Sequence, residues 1–392
     1  MNVFVPLGFE MNTYSKANMH PLFYAAPAGA SVCVCVCVCV VASSFCKMAR
    51  IQFTHSYNDI ISVENLLLAW KEFIKGKKSR KDVLEFERYF MANIILLHRD
   101  LAEKTYRHSP YEAFMIFDPK PRDIHKASVR DRLLHHALYR KLYPFFDRIF
   151  TSDSTSCRML KGTHRASDRF KRFAYKVSQN HTRTAWVLKC DIRKFFASID
   201  QKILLNILGK YIQDENISCL LEKVISSFHS KQPGIGLPLG NLTSQLLVNV
   251  YMNEFDQFVK HRLKAKYYIR YADDFVILSA DRSWLKCILP KINEFLRSKL
   301  CLELHPDKVS IRTISSGVDY LGWVNFPDHR VLRTVAKKRM FRRLKESGYK
   351  SASVQSYYGL LKHGNSVRLK EIIESEVEWL SQKPNEQNSD LI

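Results

Sequence analysis

Residues 270–279 read RYADDFVILS, and this stretch carries the strongest indication of the fold. Two runs rich in β-branched and aromatic residues, 267–271 (YYIRY) and 275–279 (FVILS), flank a short turn that contains Asp273 and Asp274. Such runs favour β-strands, and aspartate favours the turn between them. We therefore predict a β-hairpin with two adjacent carboxylates at its tip. Because aspartate is common in turns, the pair alone does not separate a functional site from a structural turn.

A third aspartate, Asp191, favours a functional site over a purely structural turn. Segment 186–192 (WVLKCDI) is typical of a buried strand, and Asp191 stands at its end. A strand-end aspartate and a hairpin pair are the oxygen ligands that a pair of divalent cations needs for phosphoryl transfer. Three carboxylates buried together without a cation would repel one another. The pattern predicts a site for divalent cations at Asp191, Asp273 and Asp274.

The charge balance indicates a polyanionic partner. The chain has 61 Lys and Arg against 38 Asp and Glu, a formal net charge of +23. Each phosphate that such a surface neutralises releases counterions, which favours binding to nucleic acid. A basic protein with no nucleic-acid role stays the alternative. Six single cysteines outside residues 31–41 lack zinc-ligand spacing and suggest no disulfide framework, so we expect a reduced, cytoplasmic location.

Helical patterns surround these predicted strands. Apolar residues spaced by three and four predict one helix through Val83 and Leu101, an earlier helix through Trp70, and later helices around Tyr251 and over 284–299. Short strands are expected near 309–314 and 318–326, followed by a basic helical tail. Because strands and helices mix without strict βαβ alternation, the fold class is α+β.

Residues 1–47 differ from the rest of the chain. They lack its mixed charge and contain SVCVCVCVCVV at 31–41, the translation expected of a TG dinucleotide repeat. We interpret 1–47 as a low-complexity extension outside the folded protein, with a possible true start at Met48. The alternative is a membrane anchor over 25–46, but its alternating valines favour strand over helix and no basic region precedes it. No membrane partner is expected.

These motifs together resemble the reverse transcriptase family. KCDIRKFFASID (189–200) resembles the family's first metal-binding motif, and YADD (271–274) resembles its Tyr-x-Asp-Asp signature. The resemblance runs from about Tyr111 to Trp323, and more loosely from Met48 to His363. It implies an RNA-directed DNA polymerase with a right-hand fold of fingers, palm and short thumb. It also implies two Mg²⁺ ions (or Mn²⁺), template RNA, primer and dNTPs. The metal site implied by the resemblance consists of Asp191, Ile192, Asp273 and Asp274.

Further positions are assigned by the same resemblance. Phe196 falls where the family places a steric gate against the ribose 2′-OH, and Lys308 in LHPDKV (304–309) where a lysine neutralises pyrophosphate. The implied nucleotide-binding residues are Arg122 and Arg132, with Lys120 less certain, in the fingers-like segment 117–138, and Leu239, Gly240 and Gln245 in GIGLPLGNLTSQ (234–245). The alternative for Phe196 is an ordinary core aromatic, and the alternative for each arginine is a solvated surface charge.

Several segments resemble the reverse transcriptases of diversity-generating retroelements. They are VRDRLLHHAL (129–138), GTHRASDRF (162–170), YYGLLKHGNS (357–366) and the loop ending in Ser244-Gln245, where many relatives have Ser-Pro. That subtype implies error-prone copying and a small basic accessory protein. The alternatives are another group II intron-like or defence-associated reverse transcriptase, or a non-catalytic RNA-binding relative. The expected organisation is a helical region at 48–110, fingers and palm at 111–325, and a basic helical thumb and tail at 326–392.

Overall fold

The computed structural model describes residues 51–117 and 121–382. The elements below belong to the unit Gln52–Ile392. The Val-Cys run, the rest of segment 1–47 and Lys120 lie outside the described residues, so the expectations for them stay predictions. In the described part of the chain, no helix has the length and apolar character needed to cross a membrane.

Helices open the described chain. They are α1 (Tyr57–Ile61), α2 (Val63–Phe73), α3 (Lys81–Arg88) and α4 (Phe90–Ala102). The prediction of one continuous helix through Val83 and Leu101 is wrong, because Tyr89 has φ −119° and ψ 38° and separates α3 from α4. Phe86 and Phe90, one on each side of Tyr89, both place their ring centroids 5.1 Å from that of Trp70.

A hairpin and two long helices follow. They are β1 (Glu112–Ile116), β2 (Arg122–Lys126), α5 (Val129–Ile149) and α6 (Thr163–Val177). Ser128 caps α5 by accepting a hydrogen bond from the N–H of Asp131. The Asp131 carboxylate is fully buried and accepts hydrogen bonds from the Tyr106 hydroxyl at 2.7 Å and the Ser109 N–H at 3.0 Å. This network fixes the start of α5 beside the hairpin.

The central sheet combines the β4–β5 hairpin with two strands that helices separate from it along the chain. The elements are β3 (Trp186–Asp191), α7 (Gln201–Gly209), α8 (Glu215–Ser226), α9 (Leu242–Gln257), β4 (Tyr267–Tyr271), β5 (Asp274–Ser279), α10 (Arg282–Leu300) and β6 (Ser310–Thr313). The strand order is β4-β5-β3-β6, and every neighbouring pair is antiparallel. The mixture of helices and antiparallel sheet confirms the α+β class.

Both faces of this sheet are buried, which explains why its strands are nearly continuous apolar runs. Leu188 and Phe275 belong to the core that includes α9 and α10, whereas Val187 and Val276 pack in a second core with Phe170 of α6. Side chains alternate across each strand, so neighbouring residues enter different cores. The sheet is thereby packed on both faces up to the edge where β3 ends at Asp191 and β5 begins at Asp274.

A small sheet and three helices complete the described chain. They are β7 (Val318–Tyr320), β8 (Trp323–Asn325), β9 (Arg330–Leu332), α11 (Thr334–Glu346), α12 (Ser351–Leu361) and α13 (Val367–Gln382). Segment 318–326 holds a hairpin of two strands, because Leu321 and Gly322 both have positive φ and turn the chain. Trp323 packs with Met340 and Leu344 in a separate core under the helices.

Candidate active site

One edge of the central sheet brings Asp191 and the β4–β5 turn together. In the β3–β5 pairing, Asp191 lies directly opposite Asp274. The main-chain N–H of Ile192 donates to the carbonyl of Asp273 at 3.1 Å. Opposed residues of an antiparallel pair have Cβ atoms about 5 Å apart. Asp191 therefore shares one sheet edge with Asp273 and Asp274, which lie far from it along the chain.

Lysines offset part of the negative charge at this edge. The Lys308 ammonium donates to Asp191 Oδ1 at 2.8 Å, and Lys189 Nζ lies 3.8 Å from Asp274 Oδ2. Lys189 precedes Asp191 by two residues on β3, so both side chains leave the same face of the strand. The acidic and basic groups line one shared pocket.

Asp274 stands in an environment that disfavours its charged form. Burial is the main cause that raises its pKa to about 7, and the carboxylates of Asp191 and Asp273 raise it further, while Lys189 opposes them. Its Oδ1 atom is buried and has no hydrogen-bond partner among the described residues. A buried carboxylate oxygen without a partner is unfavourable, so this atom is suited to accept a cation.

Asp273 has a similar environment. Burial raises the pKa of its carboxyl group, and the nearby Asp191 carboxylate raises it further. A backbone hydrogen bond and the charges of Lys308 and Arg122 act in the opposite direction. The influence of Arg122 links the β1–β2 hairpin electrostatically to the sheet edge.

The oxygen ligands at this edge fit a hard divalent cation without forming a complete cage. Within residues 51–117 and 121–382, no group of three or more acidic, His or Cys side chains is arranged to hold a metal ion. Mg²⁺, however, commonly binds through one or two carboxylates together with substrate phosphates and water. Asp191 and the unpartnered Oδ1 of Asp274 lie on paired residues and supply that minimal donor set.

The glycine-rich loop docks on the β1–β2 hairpin. The N–H of His125 donates to the carbonyl of Leu239 at 3.0 Å, and the Asn241 amide donates to the His125 carbonyl at 2.9 Å. Gly240 between them has φ +110°, and a Cβ atom there would lie 2.9 Å from Ile124 Cγ2. Glycine is required here both for the backbone conformation and for the close approach.

Phe196 and Arg122 border the same region. Phe195 and Phe196 lie in a 3₁₀ segment, where Phe195 is buried and Phe196 is partly exposed. The Phe196 carbonyl accepts a hydrogen bond from the Leu237 N–H at 2.8 Å, which places this residue beside the glycine-rich loop. Arg122, the first residue of β2, is exposed.

Two other predicted nucleotide-binding residues have different surroundings. Arg132 on α5 forms an ion pair with Asp82 and lies over the Phe73 ring, with its guanidinium carbon 5.1 Å from the centroid. These contacts direct it towards α3, and its assignment to a triphosphate stays a prediction. Gln245 is half-buried in the first turns of α9, after the glycine-rich loop.

Comparison with known proteins now identifies the family. Residues 118–324, more than half of the chain, match the family model described as reverse transcriptase (RNA-dependent DNA polymerase). The chain belongs to the reverse transcriptase family. Its members are RNA-directed DNA polymerases, and the carboxylates, the glycine-rich loop and Lys308 all lie within the matched residues.

Named relatives of this reverse transcriptase include intron-encoded proteins, one of them from a group II intron. Protein YkfC of Escherichia coli is 25% identical over 267 residues, which cover 58% of the chain and 68% of YkfC. The group II intron-encoded protein LtrA of Lactococcus lactis is 23% identical, covering 73% of the chain and 58% of LtrA. A putative COX1/OXI3 intron 2 protein of Saccharomyces cerevisiae is 23% identical, with 41% of the chain and 25% of that protein covered.

Sequence reasoning missed further residues of the reverse transcriptase that line the pocket at the sheet edge. The Lys189 ammonium donates to the carbonyl of Asp319 at 2.6 Å, and Arg333 donates to the Asp319 carboxylate at 3.0 Å. The spacing of two between Lys189 and Asp191 was an available signal. Asp319 lies in DYLGW (319–323), which resembles a segment that grips the primer, and Arg333 lies in the basic stretch after Arg330. Neither pattern predicts a place beside the carboxylates, because that position depends on the docking of the small sheet.

Proposed function

We propose that this reverse transcriptase copies template RNA into DNA by nucleotidyl transfer at the edge formed by Asp191, Asp273 and Asp274. The observation that carries the proposal is the pairing of Asp191 with Asp274, whose buried Oδ1 has no partner among the described residues. Family membership supplies the substrates: an RNA template, a primer and dNTPs.

The carboxylates and the main chain at Ile192 would hold two Mg²⁺ ions, with Mn²⁺ as a substitute. When bound, these ions lower the pKa of the primer 3′-hydroxyl and neutralise the triphosphate. Asp191 and Asp274 are directly opposite each other on paired strands, so cations bound to both carboxylates could contact the same phosphate group. The rigid sheet under them holds the carboxylates in place before substrate arrives.

Lys308 is proposed to act on the leaving pyrophosphate. Its side chain is exposed, and its ammonium lies 2.8 Å from Asp191 Oδ1. A triphosphate bound at this edge is therefore within reach of the ammonium, which can neutralise or protonate the departing group. The ion pair with Asp191 holds Lys308 at the site until the nucleotide arrives.

The nucleotide would bind between the β1–β2 hairpin and the sheet edge. Arg122 and Arg132 are proposed for the triphosphate, since the guanidinium fork matches phosphate oxygens. Phe196 is proposed to exclude the ribose 2′-OH. Leu239, Gly240 and Gln245 would contact the nucleotide and template base, and the hydrogen bonds between the loop and β2 favour that arrangement.

We assign the β1–β2 hairpin and its helices to the fingers, the central sheet to the palm and α11–α13 to the thumb. Met340 and Leu344 bury one side of α11. Lys337, Lys338 and Lys345 are exposed on that helix. A cationic helix face of this kind is suited to the phosphate backbone of a primer–template duplex.

The subtype we propose is the error-prone enzyme of a diversity-generating retroelement, with a small basic accessory protein. Leu239 supports this subtype, because it stands where many relatives have a glutamine that contacts the nucleotide. Without that glutamine contact, the geometry of the new base pair would be checked less strictly. The second candidate is a group II intron-type enzyme, favoured by the similarity to LtrA across 73% of the chain.

Primer extension tests these proposals. Purified chain is given poly(rA) or a mixed RNA template, a primer, dNTPs and Mg²⁺, and the products are sequenced. Wild type should extend, and Asp273→Asn should reduce the rate by about 1,000-fold or more, as expected for a group that acts on developing charge. Asp307→Asn, an exposed aspartate of the same pocket, is the matched control and should extend normally.

The outcomes separate the proposals. No extension by wild type would overturn the polymerase function and favour an RNA-binding role. Frequent misincorporation opposite template adenines would support the diversity-generating subtype. Accurate copying of adenines would overturn that subtype, favour the intron-type enzyme and leave the polymerase function standing.

A further inference from the structure

Arg270, two residues before the turn residue Ala272, is completely buried together with Asp256 of α9. Its Nε and Nη2 atoms donate to the two carboxylate oxygens of Asp256 at 2.7 and 2.6 Å. The Tyr268 hydroxyl donates to the same carboxylate at 2.6 Å. Buried ion pairs of this kind contribute little net stability, because desolvation offsets the attraction. A role in fixing one conformation therefore accounts for it better than stability does.

The remaining donors of Arg270 reach the turn and its surroundings. Nη1 donates to the carbonyl of Ala272 at 3.1 Å and to Asn249 Oδ1 at 3.3 Å, and Nη2 donates to Ser154 Oγ at 3.0 Å. Ala272 has φ +55°, a left-handed conformation that a residue with a Cβ adopts only when its surroundings hold it there. The guanidinium supplies one such restraint.

We propose that Arg270 is a positioning residue that clamps the Ala272 carbonyl and so sets the aspartates at the sheet edge. The clamp keeps the turn in the conformation in which the Asp273 carbonyl meets the Ile192 N–H and Asp274 stands opposite Asp191. The proposal deepens the proposed function and rests on it.

The same guanidinium connects the turn to α9. Asp256 and Asn249 both lie on this helix, and its first turns carry Gln245 of the proposed nucleotide pocket. A planar fork with several donors can bind Asp256, Asn249 and Ala272 at once. A lysine ammonium is a single point charge, so Arg270→Lys can keep the ion pair but cannot span these partners.

The test compares Arg270→Lys with Arg158→Lys. Arg158 is a matched control because its side chain is also buried, pairs with Asp147 and donates to the carbonyls of Thr151 and Ser154. Among the described residues, its hydrogen bonds end on Asp147, Thr151 and Ser154 and do not reach residues 271–275. Hydrogen–deuterium exchange reports on the Ile192 amide and on residues 271–275. Single-nucleotide incorporation gives kcat and the KM for dNTP.

Arg270→Lys should exchange faster at Ile192 and the turn, and kcat should fall by about 100-fold with a nearly unchanged KM, because small displacements of catalytic groups have such effects. Arg158→Lys should leave both readouts at wild-type values. Normal exchange at the turn and normal kcat in Arg270→Lys would overturn the proposal. Faster exchange at the turn in Arg270→Lys, together with a wild-type chain that extends no primer, would keep the clamp and remove the polymerase function.

A second variant covers the case in which Arg270→Lys does not fold. Arg270→Met combined with Asp256→Leu removes both buried charges, and such apolar replacements are often tolerated. The folded double variant should show the same fast exchange at Ile192 and the same loss of kcat. Wild-type exchange and kcat in the double variant would contradict the clamp.

Discussion

Gly240→Ala probes the contact between the glycine-rich loop and β2. Gly240 has φ +110°, and an added Cβ would lie 2.9 Å from Ile124 Cγ2. A residue with a Cβ in this conformation costs about 1–3 kcal/mol, and forcing an extra methyl against a packed neighbour costs a further 1–3 kcal/mol or so. We expect the free energy of unfolding, measured by chemical denaturation, to fall by about 2–6 kcal/mol. The KM for dNTP should rise about tenfold, equivalent to about 1.4 kcal/mol.

Gly234→Ala is the matched control for this prediction. Gly234 lies in the same loop region with φ +75°, but nothing lies within 4 Å of its added Cβ. Gly234→Ala should lower the free energy of unfolding only by the cost of the backbone conformation, and the KM for dNTP should not change. Combining Gly240→Ala with Ile124→Ala removes the clash and should recover that part of the loss. Equal effects of the two glycine variants, or no recovery in the double variant, would refute the close-approach argument.

Three further changes give distinct results. Lys308→Met should lower kcat about 10–100-fold in primer extension, with little change in unfolding free energy because its ion pair is exposed; an unchanged kcat would remove its role. Phe196→Ala should admit ribonucleotides, raising their incorporation at least about tenfold in competition assays, whereas a role in the core alone would change stability and not selectivity. Burial lowers the pKa of His135 to about 3 in the folded protein. Below about pH 6.5 the imidazole of the unfolded chain takes up a proton while that of the folded protein stays neutral, so the free energy of unfolding falls as the pH falls. Between pH 6 and 5, His135→Gln should flatten the pH dependence of unfolding free energy by up to about 1.4 kcal/mol per pH unit, and an unchanged slope would contradict this.

The local sequence pattern was sufficient to predict the secondary structure around the carboxylates. The apolar runs at 267–271 and 275–279 and the helix over 284–299 are strong periodic signals, and the structure has strands and a helix there. The break at Tyr89 was missed because the apolar spacing continues through it. Phe86 and Phe90, on either side of the break, still contact the same Trp70 ring, as residues four apart on one helix also can.

The site residues also fall into two groups: those whose positions the local sequence predicts and those whose positions depend on distant segments. Asp191, Asp273 and Asp274 stand at strand ends that the sequence indicates, so their shared location could be expected. Arg270 could not be distinguished from a surface arginine, because its burial depends on Asp256 and Ser154 from other parts of the chain. The docking of Leu239 and Gly240 on β2 likewise arises from pairing between distant segments.

Binding of Mn²⁺ to the complete complex tests whether Asp191, Asp273 and Asp274 hold two divalent cations. Electron paramagnetic resonance can count the Mn²⁺ ions bound to the protein with template RNA, a chain-terminated primer and the next dNTP. We expect two ions in the wild-type complex, with affinity weakened at least about tenfold in Asp191→Asn and in Asp273→Asn but not in Asp307→Asn. Equal stoichiometry and affinity in all four proteins would contradict it.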